Sequence, residues 1–223
     1  MSIAMQTTVG KIATEHPLAT RVFARHRIDF CCGGGKPLGE VCQLKDLDVD
    51  TILDEIQKEI ETSDTSEIQW DTAALPDLID HILATYHRPL DEELPRLEAM
   101  ARKVHAVHLD KAPETLSALL SVYLGLKEEL DQHMVKEELD LFPMIKQGKG
   151  PEIGAPVCVM LHEHDTAAHA LTRLRELTDD YQVPEDACNT WRALWHGLAA
   201  LETSLHEHIH LENNILFPRA LKG

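Results

Sequence analysis

Apolar residues in the last two thirds of the chain recur at alternating spacings of three and four residues. This spacing puts them on one side of an α-helix, so each stretch that shows it predicts a helix with one buried stripe. Proline or glycine stands at each junction between the stretches, and the connections are short. We therefore expect an antiparallel four-helix bundle. Its predicted helices cover residues 75–108, 113–145, 156–181 and 184–217.

Two prolines disturb the first of these helices. Pro89 and Pro95 cannot donate a backbone hydrogen bond, and a proline disfavours the α conformation of the residue before it. We therefore expect this helix to break or kink just after Arg88.

The first 61 residues show shorter helical patterns. They predict helices over residues 8–16, 17–27 and 50–61, separated by a stretch at 29–35 that predicts a glycine-rich turn. A polar run without periodicity follows, and Trp70-Asp71-Thr72 is typical of the approach to a helix. The predicted organisation is a small helical domain over residues 1–61, a linker over 62–72 and the bundle over 73–223.

Polar residues interrupt the apolar stripes at matching places in two helical hairpins. The second and fourth predicted helices each carry a His-x3-Glu pair followed by Phe-Pro, and the first and third each carry a histidine in the stripe. The bundle therefore resembles a duplicated hairpin. The stripe residues concerned are His87, His133, Glu137, His164, His208 and Glu212.

Six such side chains in a core need partners, because burying an unpaired charged group costs several kcal/mol. Either they pair with each other or a cation binds them. A single histidine such as His87, taken alone, is more often a hydrogen-bonded core residue. Two His-x3-Glu pairs favour metal, because residues i and i+4 share a helix face.

The number and type of these ligands narrow the choice of metal. Six imidazole and carboxylate ligands exceed the four of a tetrahedral zinc and suit a pair of first-row ions such as iron or manganese. Two bridging carboxylates and two histidines per ion leave positions open for oxo, water or a small ligand. The ligand types alone exclude neither zinc nor manganese.

The adjacent thiols of Cys31 and Cys32 are a second candidate site. Neighbouring cysteines strain to bridge each other, so we expect thiolate exchange, metal transfer or pairing with an outside thiol. A tight turn that happens to hold thiols is the alternative. The other three cysteines are predicted to be buried as apolar residues: Cys42, Cys158 and Cys188. Six further bundle histidines lie off the stripes and are predicted to face solvent: His81, His162, His169, His196, His206 and His210.

The amino-acid composition indicates the fold class and the compartment of the protein and excludes some kinds of partner. A formal net charge of −17 excludes electrostatic binding of nucleic acid as a default. Aromatic residues make up only 4% of the chain against 43% hydrophobic residues in total, a balance that favours an all-α fold. Apolar runs are too short for a membrane span, and no signal-peptide pattern is present. An odd number of cysteines, five, fits a reducing compartment, so we expect a cytoplasmic protein.

These residues resemble the motifs of the repair of iron centres family, the YtfE/ScdA type, which has a hemerythrin-like bundle. The resemblance covers nearly the whole chain and rests on Asp29-Phe30-Cys31-Cys32-Gly33-Gly34 and on the motifs around the six stripe residues. It implies a non-haem di-iron centre with four histidines and two bridging glutamates, in a cytoplasmic protein induced by nitrosative and oxidative stress. Arg88-Pro89 departs from the polar pair of many relatives.

The role that this resemblance implies is the restoration of damaged iron-sulfur clusters by supplying iron or handling nitric oxide. Damaged iron-sulfur proteins would be its partners, and nitric oxide or oxygen species its small ligands. One histidine fewer matches than in hemerythrins proper, which favours an open, reactive centre over an oxygen carrier.

Two other functions fit the same ligands. One is a di-iron nitric oxide reductase, which would make the protein an enzyme. The other is an oxygen- or nitric-oxide-sensing module, although no output domain is visible in the sequence. The sequence leaves open the client protein, the electron donor, whether the protein is a monomer or a dimer, and the placement of the small domain.

Overall fold

The computed structural model describes residues 3–62 and 69–222. Within these ranges every regular element is a helix and no strand occurs, so the predicted all-α class is confirmed. The small domain consists of α1 (Val9–Glu15), α2 (Ala19–Arg25), α3 (Leu38–Leu44) and α4 (Val49–Thr62). Their apolar faces enclose a core around Phe23. Part of the predicted linker, residues 63–68, lies outside the described residues.

Helix α3 has no counterpart among the predicted elements. It is only seven residues long and includes Gly39, so its apolar pattern is too short to stand out in the sequence. Leu38, Val41 and Cys42 nevertheless share one face of α3 and are buried there. This face completes the core of the small domain against α4.

The second domain is a bundle of four long helices, named A to D here. Helix A consists of α5 (Leu75–Ile82), the π-helical segment π1 (Leu83–His87) and α6 (Arg88–His108). Helix B consists of α7 (Pro113–Lys136), π2 (Glu137–Leu141) and α8 (Phe142–Lys146). Helix C is α9 (Gly154–Leu177), which follows a 3₁₀ turn (Gly150–Ile153). Helix D consists of α10 (Asn189–His210), π3 (Leu211–Leu216) and α11 (Phe217–Ala220). Helices A and C each pack against both B and D, which confirms the predicted four-helix arrangement.

Helix A does not break at Pro89, contrary to the prediction. Segments α5, π1 and α6 follow one another without a gap. The Arg88 N–H donates to the carbonyl of Leu83, five residues back, so the turn before the proline is already one residue wider than an α-turn. The missing N–H of Pro89 therefore does not stop the helix.

A π-turn also precedes a proline in helices B and D. The Phe142 N–H donates to the Glu137 carbonyl, and the Phe217 N–H donates to the Glu212 carbonyl. A proline directly follows each of these donors. Since a π-turn adds a residue, it changes the direction in which the flanking side chains point. Each π segment contains one of the predicted ligands, His87 being the one in helix A.

Two apolar clusters fill the bundle on either side of a polar layer. The larger cluster includes Leu94, Leu198 and Tyr123, whose hydroxyl donates to the Leu94 carbonyl at 2.7 Å. The smaller cluster includes Phe142 and Phe217. The six predicted ligands lie in the polar layer between them. Across the part of the chain that the structure describes, no helix has both the length and the apolar character needed to cross a membrane.

The small domain packs against helix D beside π3. The Nδ1 atom of His210 and the Nδ2 atom of Asn214 each lie 3.2 Å from the carbonyl oxygen of Phe30. Asn214 Nδ2 also donates to the Cys31 carbonyl at 3.1 Å. The loop with the two adjacent cysteines is therefore held on the segment of helix D that carries Glu212.

Candidate metal centre

The structure brings all six predicted ligand residues together in the polar layer. They come from all four bundle helices, and their exposed fractions lie between 0% and 4%. Helix A contributes His87, helix B contributes His133 and Glu137, helix C contributes His164, and helix D contributes His208 and Glu212.

The six side chains form two groups of four that share both glutamates. In each group, one ligand atom per residue lies within 4.8 Å of the corresponding atoms of the others. Each group is therefore compact enough to surround one cation, and the shared residues make the two positions adjacent. The first group is His87, His208, Glu137 and Glu212, and the second is His133, His164, Glu137 and Glu212.

The two carboxylates lie between the groups and turn one oxygen toward each. Glu137 Oε2 is 3.4 Å from His87 Nε2, and Glu137 Oε1 is 3.4 Å from His133 Nε2. Glu212 lies in the same way between the Nε2 atoms of the other two histidines, at 3.0 and 3.2 Å. A carboxylate needs this placement to bridge two ions.

The facing imidazoles fit a cation better than they fit each other. His87 Nε2 lies 3.1 Å from His208 Nε2, and the Nε2 atoms of His133 and His164 are also 3.1 Å apart. Two nitrogen ligands about 2.1 Å from one ion and at a right angle to each other are about 3.0 Å apart. In the second pair both rings have an acceptor at Nδ1, so when neutral they would point the lone pairs of their Nε2 atoms at each other.

Three of the four imidazoles have an oxygen atom within hydrogen-bond distance of Nδ1. An acceptor there makes Nδ1 the protonated nitrogen and leaves the lone pair on Nε2, the atom that faces the centre of the layer. These contacts also hold the plane of each ring. They join His87 to Glu138 at 3.0 Å, His133 to Glu163 at 2.9 Å and His164 to Asn213 at 2.7 Å.

The glutamate oxygens are buried without adequate partners. Neither oxygen of Glu137, nor Oε2 of Glu212, accepts a hydrogen bond from any described residue. Burial acts to raise the pKa of both carboxyls, but the surrounding imidazoles hold each pKa below its ordinary value. Both side chains are therefore anions in a water-poor layer, where cations would neutralise them.

A cavity of about 240 Å³ adjoins the second group of four. Its lining includes His133, His164 and His208, together with Glu129 and Lys136 farther from the layer. This volume has room for several water molecules or a small ligand next to the imidazoles.

The loop with Cys31 and Cys32 lies beside the same layer. The Asp29 carboxylate accepts hydrogen bonds from the N–H groups of both cysteines and of the next residue, which fixes the turn. The two Sγ atoms are 3.9 Å apart and both thiols are free. Asn213 Nδ2 lies 3.9 Å from Cys32 Sγ. A single asparagine thus lies between Cys32 and His164.

The two thiols differ in environment. A hydrogen bond with Cys32, burial and the charge of Asp29 all raise the pKa of the Cys31 thiol, so it is protonated near neutral pH. Cys31 is buried, whereas Cys32 is half-buried. Cys32 is therefore the thiol of the pair that an outside molecule can reach.

Several predictions about other side chains are wrong. His210 is only 4% exposed because Phe30 of the small domain covers it, with ring centroids 5.5 Å apart. Cys158 and Cys188 are exposed, whereas Cys42 is buried as predicted. The other off-stripe histidines are exposed at His162, His169 and His196 and half-buried at His81 and His206. A helix's own periodicity cannot reveal a surface that another domain covers.

Cys188 is expected to be an acidic, reactive thiol. The backbone N–H of Trp191 and the imidazole of His108, whose Nε2 is 3.2 Å from Sγ, lower the pKa of Cys188 to about 7. The thiolate therefore forms as the pH rises through about 7, instead of through the ordinary value of 9.0. The rate of alkylation by iodoacetamide, followed by peptide mass mapping, should rise through that pH. His108→Phe should move the midpoint upward, with Cys158 as the internal reference. A midpoint that His108→Phe leaves in place would contradict the role of the imidazole.

The periodicity of the helices does not reveal the side chains that hold the ligands in place. Glu138, Glu163 and Asn213 each stand next to a predicted ligand in the chain. So does Tyr86, whose ring stacks on His208 with centroids 5.3 Å apart and planes 4° apart. Their position in the sequence could have identified them. A residue directly next to a ligand in the chain lies at the edge of the polar layer, so a polar or aromatic side chain there can reach a ligand on a neighbouring helix.

Comparison with known proteins agrees with this organisation. Residues 78–220 match the family model of the hemerythrin HHE cation binding domain, and residues 5–60 match the ScdA_N model, described as a domain of unknown function. The chain is 44% identical over 220 residues to the iron-sulfur cluster repair protein YtfE of Musicola paradisiaca, covering 98% of this chain and 97% of that protein. It is 45% identical over 216 residues to the protein of that name from Pectobacterium atrosepticum and 44% identical over 218 residues to that from Yersinia pseudotuberculosis, covering 97% of each chain. The chain therefore belongs to the family of these YtfE proteins, the repair of iron centres family that its motifs resemble.

Proposed function

We propose that the chain repairs damaged iron-sulfur clusters and that its polar layer binds two iron ions for this purpose. Its relatives are named for this repair and match almost its whole length. The family model that matches its bundle describes a cation-binding domain. Its client would be an iron-sulfur protein of the cytoplasm, a reducing compartment that suits five free cysteines.

The observation that carries the proposal is the position of Glu137 and Glu212 between two pairs of histidines. One ion would be held by His87 and His208 and the other by His133 and His164, with both glutamates bridging. Imidazole and carboxylate ligands without thiolate suit iron. When bound, iron supplies one-electron chemistry and open positions for a small ligand such as nitric oxide or an oxygen species.

The chain itself prepares the site. Glu138, Glu163 and Asn213 hold three imidazoles with Nε2 toward the centre. Lys136 pairs with the Glu163 carboxylate and keeps it ionised, which supports its role as the acceptor for an imidazole. Apolar residues close the layer on both sides, and the cavity beside the second group gives a diatomic molecule or an ion a way in.

The small domain would take part in the transfer step. We assign it to residues 1–61, joined through 62–72 to the bundle over 73–223. Cys32 is half-buried and lies one side chain away from His164, so the two thiols would assist the passage of iron between the bundle and a damaged cluster. Thiolate is a soft ligand that suits an exchange step of this kind.

The test combines metal analysis with repair. Protein from iron-replete cells should contain two irons per chain, and adding it to an iron-sulfur enzyme that peroxide has inactivated should restore that enzyme's activity. The metal-free chain should restore less. A stably folded chain without bound transition metal, or an iron-loaded chain that repairs no better than free iron, would overturn the proposal.

Replacing Cys31 and Cys32 together by serine should impair repair without removing iron. Within the described residues the thiols hydrogen-bond to Asp29, to each other and to Asn213, not to a glutamate of the layer, and serine is close to cysteine in size, so the bundle should still bind two irons. Iron content and repair rate are measured on the same preparation. Cys158→Ser, at an exposed thiol on helix C, is the matched control. An unchanged repair rate would mean that the two cysteines only form part of a tight turn and take no part in repair.

A further inference from the structure

Aromatic rings form an unbroken path from the protein surface to one predicted metal ligand. Half-buried Trp70 stacks on His81 with centroids 4.4 Å apart, and His81 meets the edge of Tyr86 at 5.9 Å. Tyr86 is 8% exposed and stacks on His208 at 5.3 Å. Every step of the path is therefore a direct contact between neighbouring rings.

The path ends at the histidine that departs from the pattern of the other three. The duplicated hairpin places Tyr86 just before His87 and Glu163 just before His164, so tyrosine occupies the position that carries a carboxylate in the other half. Glu163 bonds to the Nδ1 atom of an imidazole, as the partners of two other imidazoles do. The buried Nδ1 of His208 has no hydrogen-bond partner within residues 3–62 and 69–222. A stacked phenol ring thus takes the place of an oxygen acceptor at this ligand alone.

The outer rings are held in position and line an open cleft. Arg219 donates to the carbonyls of Trp70 at 2.6 Å and Ala73 at 2.5 Å, which fixes the turn that carries the indole against helix D. His81 Nδ1 lies 3.1 Å from the hydroxyl oxygen of Thr85. Trp70, His81 and Tyr86 all face a cleft of about 220 Å³ between the small domain and the bundle.

Within the part of the chain that the structure describes, the other rings beside the ligands do not continue to the surface in this way. His87 and His164 lie against Phe142 and Phe217, which are buried and carry no group that is readily oxidised. Tryptophan and tyrosine are the aromatic side chains that lose one electron most easily. Both occur on the path to His208.

We propose that Trp70, His81 and Tyr86 conduct single electrons between the cleft and the metal layer through His208. This role rests on the proposed iron site. A soluble one-electron donor at the cleft loses one electron, which passes along the rings and converts a bound ferric ion to ferrous. A proton that a ring loses when it gives up an electron returns when the electron is replaced, so no bond is formed or broken overall and each ring ends in the state in which it began. Oxidation runs along the same path in reverse, toward a one-electron acceptor.

The first test removes an electron from the outer end of the path in the metal-free chain, so that electrons move from the layer side toward the cleft. Flash-generated tris(bipyridine)ruthenium(III) removes one electron from Trp70, and the indole proton passes to solvent. The Trp70 radical then takes an electron from Tyr86, whose phenolic proton passes to the water of the cleft, while Trp70 regains its own. Transient absorption of the full-length metal-free chain should show a tryptophan radical decaying as a tyrosine radical forms. Circular dichroism confirms the fold of each variant.

Two substitutions and their matched controls separate this path from other aromatic residues. Tyr86→Phe should abolish the tyrosine radical and lengthen the life of the tryptophan radical, and Trp70→Phe should reduce the yield of both. Tyr181→Phe and Trp195→Phe, which lie outside the path, should change neither the transfer nor its rate. If Tyr86→Phe leaves the radical kinetics of the wild type intact, the path is wrong.

A second measurement, on the iron-loaded chain, tests whether the path reaches the metal layer. In the ferrous-loaded chain the Tyr86 radical should disappear faster than in the metal-free chain, because a ferrous ion supplies one electron and becomes ferric while the phenol regains its proton. An unchanged lifetime at full iron occupancy would overturn the connection to the layer. A chain that shows the Trp70-to-Tyr86 transfer but binds no iron would instead contradict the proposed function, so the two failures are distinguishable.

Discussion

Replacing Glu137 by leucine is expected to empty both cation positions of the bundle, although it removes only one side chain. Its two oxygens face the two histidine pairs separately, so each position loses a ligand and the layer loses one of its two negative charges. The fall in metal affinity should exceed the roughly 10–100-fold that follows removal of a hydrogen-bond partner of a ligand. Elemental analysis of the purified variant should find less than one iron per chain.

Glu202→Leu provides the matched control. Glu202 is a glutamate of helix D that is only 5% exposed, but it pairs with Arg175 away from the polar layer. Arg175 keeps a second partner in Asp180 after the substitution. The control should therefore fold and retain two irons. A Glu137→Leu chain with the same iron content as this control would show that the carboxylate does not bridge.

Much of the bundle could be predicted because the spacing of apolar residues along each helix shows which face is buried. Stripes that step by three and four residues end at His133 with Glu137 and at His208 with Glu212, and only a helix places such residues on one face. The repeat of this pattern indicated that the two hairpins meet around one polar layer. The structure places these side chains within a few ångströms of each other.

The details that escaped prediction depend on geometry that no single helix contains. Pro89 suggested a break, but a π-turn absorbs the proline without one. His210 fell off the stripe of its helix, yet Phe30, which lies 180 residues earlier, buries it. Glu163 and Tyr86 act on ligands of other helices, so their roles become visible only once the bundle is assembled.

A pair of histidine substitutions on one side of the layer is expected to leave a single iron. Leucine at both His133 and His164 removes every imidazole of the second group, while the first group keeps two imidazoles and an oxygen from each glutamate. The iron content should therefore fall from two to about one per chain, with four protein ligands still available to the remaining ion. Elemental analysis gives the content, and electron paramagnetic resonance distinguishes an isolated ferric ion from a coupled pair.

A second double variant, with one substitution in each group of ligands, provides the comparison for the first. Leucine at His87 and His133 takes one imidazole from each group, so both positions are left with a single nitrogen ligand and both should lose iron. Each double variant removes two imidazoles and adds two apolar side chains, so a general loss of stability or charge would affect them alike. Different iron contents in the two variants would follow only if the imidazoles act in the pairs that lie 3.1 Å apart. Equal contents would mean that the six side chains do not divide into two cation positions.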